Sequence, residues 1–148
     1  MTPEKITPEA LIVALLDAAR KEDWETVNNT LIPQLTLVDS DKTAEQLLRH
    51  VSDKDGNIRD VVASSLAPLI IKSSILRESV FHALAEMATK DDYVFAAGRG
   101  AAALVYYLDD NTLGVQARKA LDIFHDRVQG KGWGQDIKDN IPQLTNYM

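Results

Sequence analysis

Apolar side chains recur at three- to four-residue spacing along most of this chain, which is the pattern of helices that bury one face. Short polar turns interrupt the pattern, among them Ser52–Asn57 and Asp91–Asp92. Between the turns, the apolar positions form pairs of short amphipathic segments, and the pairs recur at a period of roughly 36 residues. The pattern predicts four helical hairpins, at about residues 8–38, 42–71, 74–108 and 112–146.

Local signals mark several helix starts. Residues 7–9 are Thr-Pro-Glu, in which Thr offers a capping oxygen, Pro suits the first helical position and Glu complements the helix dipole. Asp23 is predicted to cap the next helix, which bends or breaks near Pro33 because proline lacks a backbone donor. Thr43 and Gln46 have capping-box spacing and predict the first helix of the second hairpin.

One pentapeptide occurs twice. Ile32–Thr36 and Ile141–Thr145 both read Ile-Pro-Gln-Leu-Thr, 109 residues apart, which is three periods of roughly 36 residues. Units of this length cannot bury their apolar face alone and therefore stack on their neighbours. We predict an all-α fold in which residues 1–148 form one domain, a right-handed α–α superhelix or solenoid.

The segment Leu47–Leu66 carries a more specific motif. It has an aspartate at the turn, Asp53, an Ile-Arg pair that ends at Arg59, and small residues before its closing leucine. In these positions it resembles a HEAT-type helical repeat, and the resemblance is clearest over residues 43–69. In that family the aspartate and the arginine cross-link the turn to adjacent repeats. The resemblance therefore implies a structural role for Asp53 and Arg59.

The other hairpins match this motif less closely. When Asp91 is aligned with Asp53, Ala97 stands where the family has arginine, and the first and fourth hairpins match only in helix length and order. Tetratricopeptide-like and unrelated helical arrays are the alternatives. A HEAT-like array implies a concave face, lined by the second helices, that binds proteins. A few such arrays are enzymes that attach bilins, excise bases or hydroxylate with a di-iron centre.

Composition narrows the classes of function. The chain is 45% hydrophobic and 26% charged, which is ordinary for a globular protein. Its 16 basic and 22 acidic residues give a net charge of -6, which disfavours nucleic acids and anionic membranes as partners. The lack of cysteine excludes disulfides and thiolate chemistry and favours a cytoplasmic location. Residues 1–9 do not resemble a signal peptide, and no apolar run has the length of a membrane span.

Candidates for catalysis or metal binding are few. Glu78, His82 and Glu86 share one helical face, as a metal site or a solvated polar stripe would. Three ligands on one helix diverge without a second element to complete the shell, so no metal site is predicted. Gly98–Gly100 lies in an alanine-rich run and is predicted to allow close helix packing. With no catalytic residue and no cofactor predicted, the chain is predicted not to be an enzyme.

Two features are candidates for binding. In the third hairpin, Phe95, Arg99 and Tyr106 share one helical face, which either packs on the next repeat or forms a recognition patch with aromatic and arginine anchors. Trp133, flanked by glycines, either anchors a partner or packs under the last helix. With two positions from the second hairpin added, the predicted binding residues are Asp60, Ser64, Phe95, Arg99, Tyr106 and Trp133.

These features predict a small non-enzymatic HEAT-like scaffold or adaptor that binds another protein through the concave face of its second helices. Two alternatives stay open at this point. One is a HEAT-like lyase or another enzyme that acts on a protein-bound group, which a closed pocket joining Glu78 and His82 to a carboxylate of another helix would favour. The other is an acidic inhibitor or immunity-type protein that masks a basic partner, which acidic residues on the concave face would favour.

Overall fold

Helices make up the regular structure of residues 6–147, the residues that the computed structural model describes. No strand occurs in this range, so the all-α prediction is confirmed for it. Residues 1–5, part of the segment expected to lack a signal peptide, lie outside the described residues, as does Met148. The α-helices are α1 (Pro8–Arg20), α2 (Trp24–Thr26), α3 (Ser40–Leu48), α4 (Gly56–Leu66), α5 (Ser74–Lys90), α6 (Val94–Leu104), α7 (Gly114–Lys131) and α8 (Gly134–Asn140).

The helical segment that starts with α2 changes its winding twice. It continues as a π-helical turn over Val27–Leu31 and then as a 3-10 helix over Ile32–Leu37, with Pro33 in the first turn. Proline has no backbone N–H, so it fits the first turn of a helix but not its interior. This explains the break that the sequence predicted. Two further 3-10 segments, Val105–Tyr107 and Pro142–Tyr147, follow α6 and α8.

Polar side chains cap the helices. Thr7 caps α1 and Asp23 caps α2, as predicted, each by accepting a hydrogen bond from the backbone N–H three residues later. The prediction for α3 was wrong. Asp39 caps it by accepting the N–H of Lys42 at 3.0 Å, while Thr43 is buried and its hydroxyl donates to the Asp39 carbonyl at 2.7 Å. The helix starts one turn earlier than expected because the Asp39 side chain already satisfies a free N–H of its first turn, that of Lys42.

The helices contact one another in two rows. α1 contacts α3, α3 contacts α5 and α5 contacts α7, while α4 contacts α6 and α6 contacts α8. The rows meet where α1 and α3 contact α4 and where α5 and α7 contact α6. Buried apolar side chains from these helices join into one hydrophobic cluster, in which Phe81 and Phe124 are the largest fully buried members. Most of these helices therefore contact the next helix but one in the chain.

Charged side chains link positions 31 to 33 residues apart in the chain. Arg59 donates from Nε to Asp91 Oδ2 at 2.8 Å and from Nη2 to Oδ1 at 3.0 Å, across 32 positions. Asp41 accepts backbone N–H groups that lie 31 and 32 positions further along the chain. Arg77 bonds to Asp110 across 33 positions. These hydrogen bonds link α3 and α4 to the two ends of α5, and α5 to the segment before α7.

Glycines let α6 approach its neighbours closely. A Cβ added to Gly100 would lie 2.9 Å from the Leu84 carbonyl oxygen and 3.1 Å from the Ala88 nitrogen, both of them backbone atoms of α5. A Cβ on Gly98 would lie 2.5 Å from Cδ1 of Ile141. The packing role predicted for this glycine-containing run is confirmed.

The repeated pentapeptide makes the same hydrogen bond and buries its leucine at both places, although Ile32 has helical backbone angles and Ile141 does not. In each copy the threonine hydroxyl donates to the proline carbonyl three residues earlier, at 3.2 Å for Thr36 and 2.6 Å for Thr145. The leucines are buried, with 2% of Leu35 and 0% of Leu144 exposed. The sequence repeat thus corresponds to a hydrogen bond and a buried leucine that both copies share.

Candidate functional site

Two adjoining cavities are lined by residues of α2, α4, α6, α8 and the segments next to them. The first, here called the acidic cavity, has a volume of about 370 Å³ and is lined by carboxyl, guanidinium and aromatic side chains, namely Glu22, Asp60, Asp139, Arg99, Trp24, Tyr93 and Phe95. The second, called the apolar cavity, has a volume of about 410 Å³ and is lined mainly by Ile32, Ala67, Pro68, Ala102, Val105 and Tyr106. Asn28, Ser64 and Arg99 line both cavities, which therefore form one groove.

Most of the predicted binding residues lie in this groove. Asp60, Ser64, Phe95 and Arg99 line the acidic cavity. Tyr106 lines the apolar cavity, together with Arg99 and Ser64. The face of α6 that was predicted either to pack on the next repeat or to form a recognition patch is thus open to the groove. Phe95 and Arg99 line the groove from α6 itself, and Tyr106 lines it from the 3-10 segment that follows.

Trp133 lies outside the groove, at the start of α8. Its half-buried ring packs against α7, with the guanidinium carbon of Arg127 5.1 Å and Nζ of Lys131 5.5 Å from the ring centroid. Gly132 ends α7 with a φ of 68°, the left-handed conformation that commonly terminates helices. The structure therefore separates Trp133 from the other predicted binding residues.

A buried ion pair crosses from α4 to α6 in the acidic cavity. Nε of Arg99 lies 3.4 Å from Oδ1 of Asp60 but makes no hydrogen bond, and the Ser64 hydroxyl donates to the same oxygen at 3.2 Å. Burial raises the pKa of Asp60 from its usual 3.8 to about 6, because the loss of hydration outweighs the attraction of Arg99. Nη2 of Arg99 also reaches the Asn140 carbonyl oxygen, at 3.4 Å, and so links α6 to the end of α8.

The raised pKa of Asp60 predicts a stability that falls as the pH rises through its titration. Between about pH 4 and pH 6 the folded chain holds a proton that the unfolded chain releases, so deprotonation favours unfolding. Asp60→Asn removes this titration and keeps the shape of the side chain. We expect the unfolding free energy of the wild type, minus that of Asp60→Asn, to decrease by about 2 kcal/mol from pH 4 to pH 7. Urea denaturation across this range measures the difference, and a difference independent of pH would contradict the prediction.

Several residues that line the acidic cavity were not among the predicted binding residues, and three of them bear on its charge and its aromatic lining. Glu22 lies between α1 and α2, Trp24 begins α2, and Asp139 lies in the last turn of α8. Glu22 and Asp139 do not stand out by periodicity, because they are polar residues at helix ends, and the spacing of Trp24 with Val27 and Leu31 predicted only that it belongs to the apolar face of its helix. One backbone signal does mark Glu22: its φ of 57° is the only positive value at a non-glycine position in residues 6–147.

A separate cavity of about 430 Å³ offers less for binding. Its ionisable lining includes Arg59 and Asp91, which are already paired with each other, together with His82 and Glu86. Glu78 lies 3.5 Å from His82 on the exposed side of α5 and does not line the cavity. Across residues 6–147, no three His, Asp or Glu side chains are grouped so that they could hold a metal ion.

No protein-family model matches the sequence, and neither a curated protein nor a solved structure shows significant similarity to it. Within the described part of the chain, every helix is too short or too polar to cross a membrane. The groove is therefore interpreted from its own residues, which combine excess carboxylate charge and aromatic rings with an apolar cavity beside them.

Proposed function

We propose that the chain is a right-handed α-solenoid of about four HEAT-like hairpins, and that it acts as a non-enzymatic scaffold that binds another protein through the groove. The observation that carries this proposal is the composition of the acidic cavity. Each predicted hairpin contributes a side chain to it: Trp24 from the first, Asp60 from the second, Phe95 from the third and Asp139 from the fourth. A surface assembled from every unit is typical of repeat arrays that bind macromolecules along a concave face.

The cross-links at Arg59 support the repeat interpretation. Its guanidinium bonds to the carboxylate of Asp91, which is the position that aligns with Asp53 one repeat later. Within its own turn, Arg59 donates to the carbonyl oxygen of Asp53 at 2.9 Å. One arginine thus joins two successive turns, as the HEAT resemblance implies.

The apolar cavity supports binding to a protein. Tyr106 at its edge is 72% exposed, and Ile70 nearby on the loop after α4 is 81% exposed. Large apolar side chains left in contact with water beside a cavity are typical of interaction surfaces. Tyrosine and arginine are also frequent energetic anchors of protein interfaces, and Tyr106 and Arg99 line the same cavity.

A second candidate function is that of an acidic inhibitor or immunity-type protein that masks a basic partner. The carboxyl groups of Glu22, Asp60 and Asp139 favour it, because they concentrate negative charge in the groove. The two functions differ in what happens to the partner. An inhibitor abolishes the partner's activity when it binds, whereas a scaffold leaves that activity intact.

Replacing Tyr106 with alanine is expected to abolish recovery of the partner in affinity purification from the native cell, analysed by mass spectrometry. The matched control is Val115→Ala, because Val115 is 71% exposed on α7 and lines neither cavity of the groove. Both side chains are exposed, so each change is expected to alter the melting temperature by less than about 2 °C. A partner that stays bound to Tyr106→Ala, or a Tyr106→Ala variant that unfolds, would show that the groove is not the binding surface.

A further inference from the structure

We infer that the acidic cavity holds a lysine or arginine side chain of the partner protein, while an apolar side chain from the same segment lies in the apolar cavity. This inference rests on the proposed function and names the chemistry of the partner. The ligand class is a basic protein segment, as opposed to an acidic peptide or a phosphorylated one.

Glu22 and Asp139 leave the acidic cavity with negative charge that no neighbour neutralises. They come from opposite ends of the chain, Glu22 from the turn after α1 and Asp139 from α8. Neither forms an ion pair with another residue of the range 6–147, and Asp139 accepts a hydrogen bond from Gln135 at 2.8 Å. Two hydrated carboxylates beside one cavity attract a cation and repel an anion.

The positive charge of Arg99 does not cancel the net negative charge of the acidic cavity. Asp60 opposes its charge from 3.4 Å, so the pair is close to neutral when Asp60 is ionised. The lining as a whole has three carboxyl groups against one guanidinium, which gives a charge of -2 with all groups ionised. A phosphate or carboxylate ligand would have to approach Arg99 against this excess.

Aromatic rings line the same cavity. Tyr93 and Phe95 meet edge to face with their centroids 5.5 Å apart, and the Tyr93 hydroxyl donates to Oδ1 of Asn57 at 3.0 Å. These contacts hold the two rings in place, and Trp24 adds a third ring. The face of an aromatic ring attracts ammonium and guanidinium groups. The cavity thus offers a cation both aromatic and carboxylate contacts.

The backbone at Glu22 is a separate observation. Glu22 is the residue after the α1 cap, in the left-handed conformation with a φ of 57°, and the next N–H, that of Asp23, closes the helix end by bonding to the Ala18 carbonyl at 2.9 Å. Glycine is the usual residue there, because any side chain raises the energy of this conformation. Glutamate therefore has a cost in the local fold, and Glu22 is one of the residues that line the acidic cavity.

The neighbouring apolar cavity identifies what lies beside the basic side chain in the partner. Ile32, Ala102 and Tyr106 line it, and it shares Asn28 and Arg99 with the acidic cavity. A segment that places a basic side chain in one cavity therefore places its neighbours at the other. An apolar neighbour gains burial there, while a charged one loses hydration without a partner.

The experiment titrates a synthetic peptide, with one arginine beside one leucine in a glycine-serine background, into the full-length protein labelled with nitrogen-15. The two tryptophan indole N–H signals are the reporters, because Trp24 lines the acidic cavity and Trp133 does not. We expect the Trp24 signal to shift to saturation and the Trp133 signal to stay in place. Peptides with citrulline or glutamate in place of arginine are expected to bind about tenfold more weakly. Equal or tighter binding of either peptide would overturn the inference.

Matched variants test the carboxylates directly. The double variant Glu22→Gln/Asp139→Asn is expected to bind the arginine peptide about tenfold more weakly than the wild type. The control is Glu25→Gln, which removes an exposed carboxylate of α2 that does not line the cavity, and its affinity is expected to stay within about twofold. A double variant that binds as tightly as this control would contradict the role of the two carboxylates.

Glu22→Gly separates binding from folding. Glycine relieves the left-handed backbone, so the melting temperature is expected to rise by about 2 °C, while the affinity for the arginine peptide falls about threefold. A purely structural Glu22 predicts unchanged affinity. Unchanged affinity in this variant would therefore overturn the role of Glu22.

The variants distinguish a groove that does not bind the partner from a groove that binds a partner segment without a basic side chain. If the natural partner is lost with Tyr106→Ala but kept by Glu22→Gln/Asp139→Asn, the groove binds a protein and the basic segment is wrong. If the partner is kept by both variants, the groove itself is wrong. Loss of the partner with both variants, together with its retention by Val115→Ala and Glu25→Gln, supports both proposals.

Discussion

Alanine in place of Arg59 is expected to lower the free energy of unfolding by about 3 kcal/mol. The Arg59 side chain is 19% exposed and that of its partner Asp91 is 8% exposed. Arg59 makes four hydrogen bonds, two to the Asp91 carboxylate and two to the carbonyl oxygens of Asp53 and Lys54. Its removal leaves a buried carboxylate without its counter-charge and two carbonyl groups without their donor.

Urea denaturation of Arg59→Ala measures this loss, with Lys21→Ala as the control. Lys21 also pairs with an aspartate, Asp17, at 2.9 Å, but the two side chains are 70% and 58% exposed. Such a surface ion pair contributes less than about 0.5 kcal/mol to the free energy of unfolding. The double variant Arg59→Ala/Asp91→Ala has no buried charge left unpaired. We therefore expect its loss of unfolding free energy to be smaller than the sum of the losses in the two single variants. A loss for Arg59→Ala no larger than that for Lys21→Ala would contradict the cross-linking role.

Valine in place of Gly100 is expected to lower the free energy of unfolding by about 3 kcal/mol. The first added carbon would lie 2.9 Å from the Leu84 carbonyl oxygen and equally close to the Met87 Cβ. These atoms belong to the backbone, or lie next to the backbone, of α5, so they cannot move aside as the end of a flexible side chain can. The two helices would have to separate, and the apolar contacts between them would loosen.

Gly130 provides the control for this substitution. It lies near the end of α7, is exposed, and has nothing within 4 Å of an added Cβ. Gly130→Ala is therefore expected to raise the free energy of unfolding by about 1 kcal/mol through helix propensity alone. Thermal melting of both variants should give shifts of opposite sign. A stable Gly100→Val variant would show that α5 and α6 are not held at the distance described.

The helices were predictable where the signals are local. α5 begins at Ser74, as expected, because the hydroxyl of Ser73 accepts the N–H of Leu76 at 3.2 Å and caps it. The buried face of α6 follows from the spacing of Ala97, Gly100 and Leu104, all of which are buried. The start of α3 was misplaced because two capping arrangements competed one turn apart, and the aspartate was the better acceptor.

The groove was only partly predictable, because it depends on how distant helices are arranged. Phe95, Arg99 and Tyr106 were found from the spacing within one helical segment, which determines which side chains share a face. Glu22 and Asp139 reach the same cavity only through the stacking of α1 to α8, and the local sequence does not encode that geometry. Trp133 looked equally suited to binding, but its ring is occupied by Arg127 of the preceding helix.

The contribution of both ends of the chain to one cavity has a mechanical consequence. Trp24 and Asp139 are far apart in sequence, and the distance between them depends on how α4 and α6, which line the cavity between them, pack on α1 and α8. A ligand that contacts both residues is therefore sensitive to any change in that packing. A substitution in one of these helix interfaces, away from the cavity, is expected to alter the affinity for the ligand without removing a contact residue.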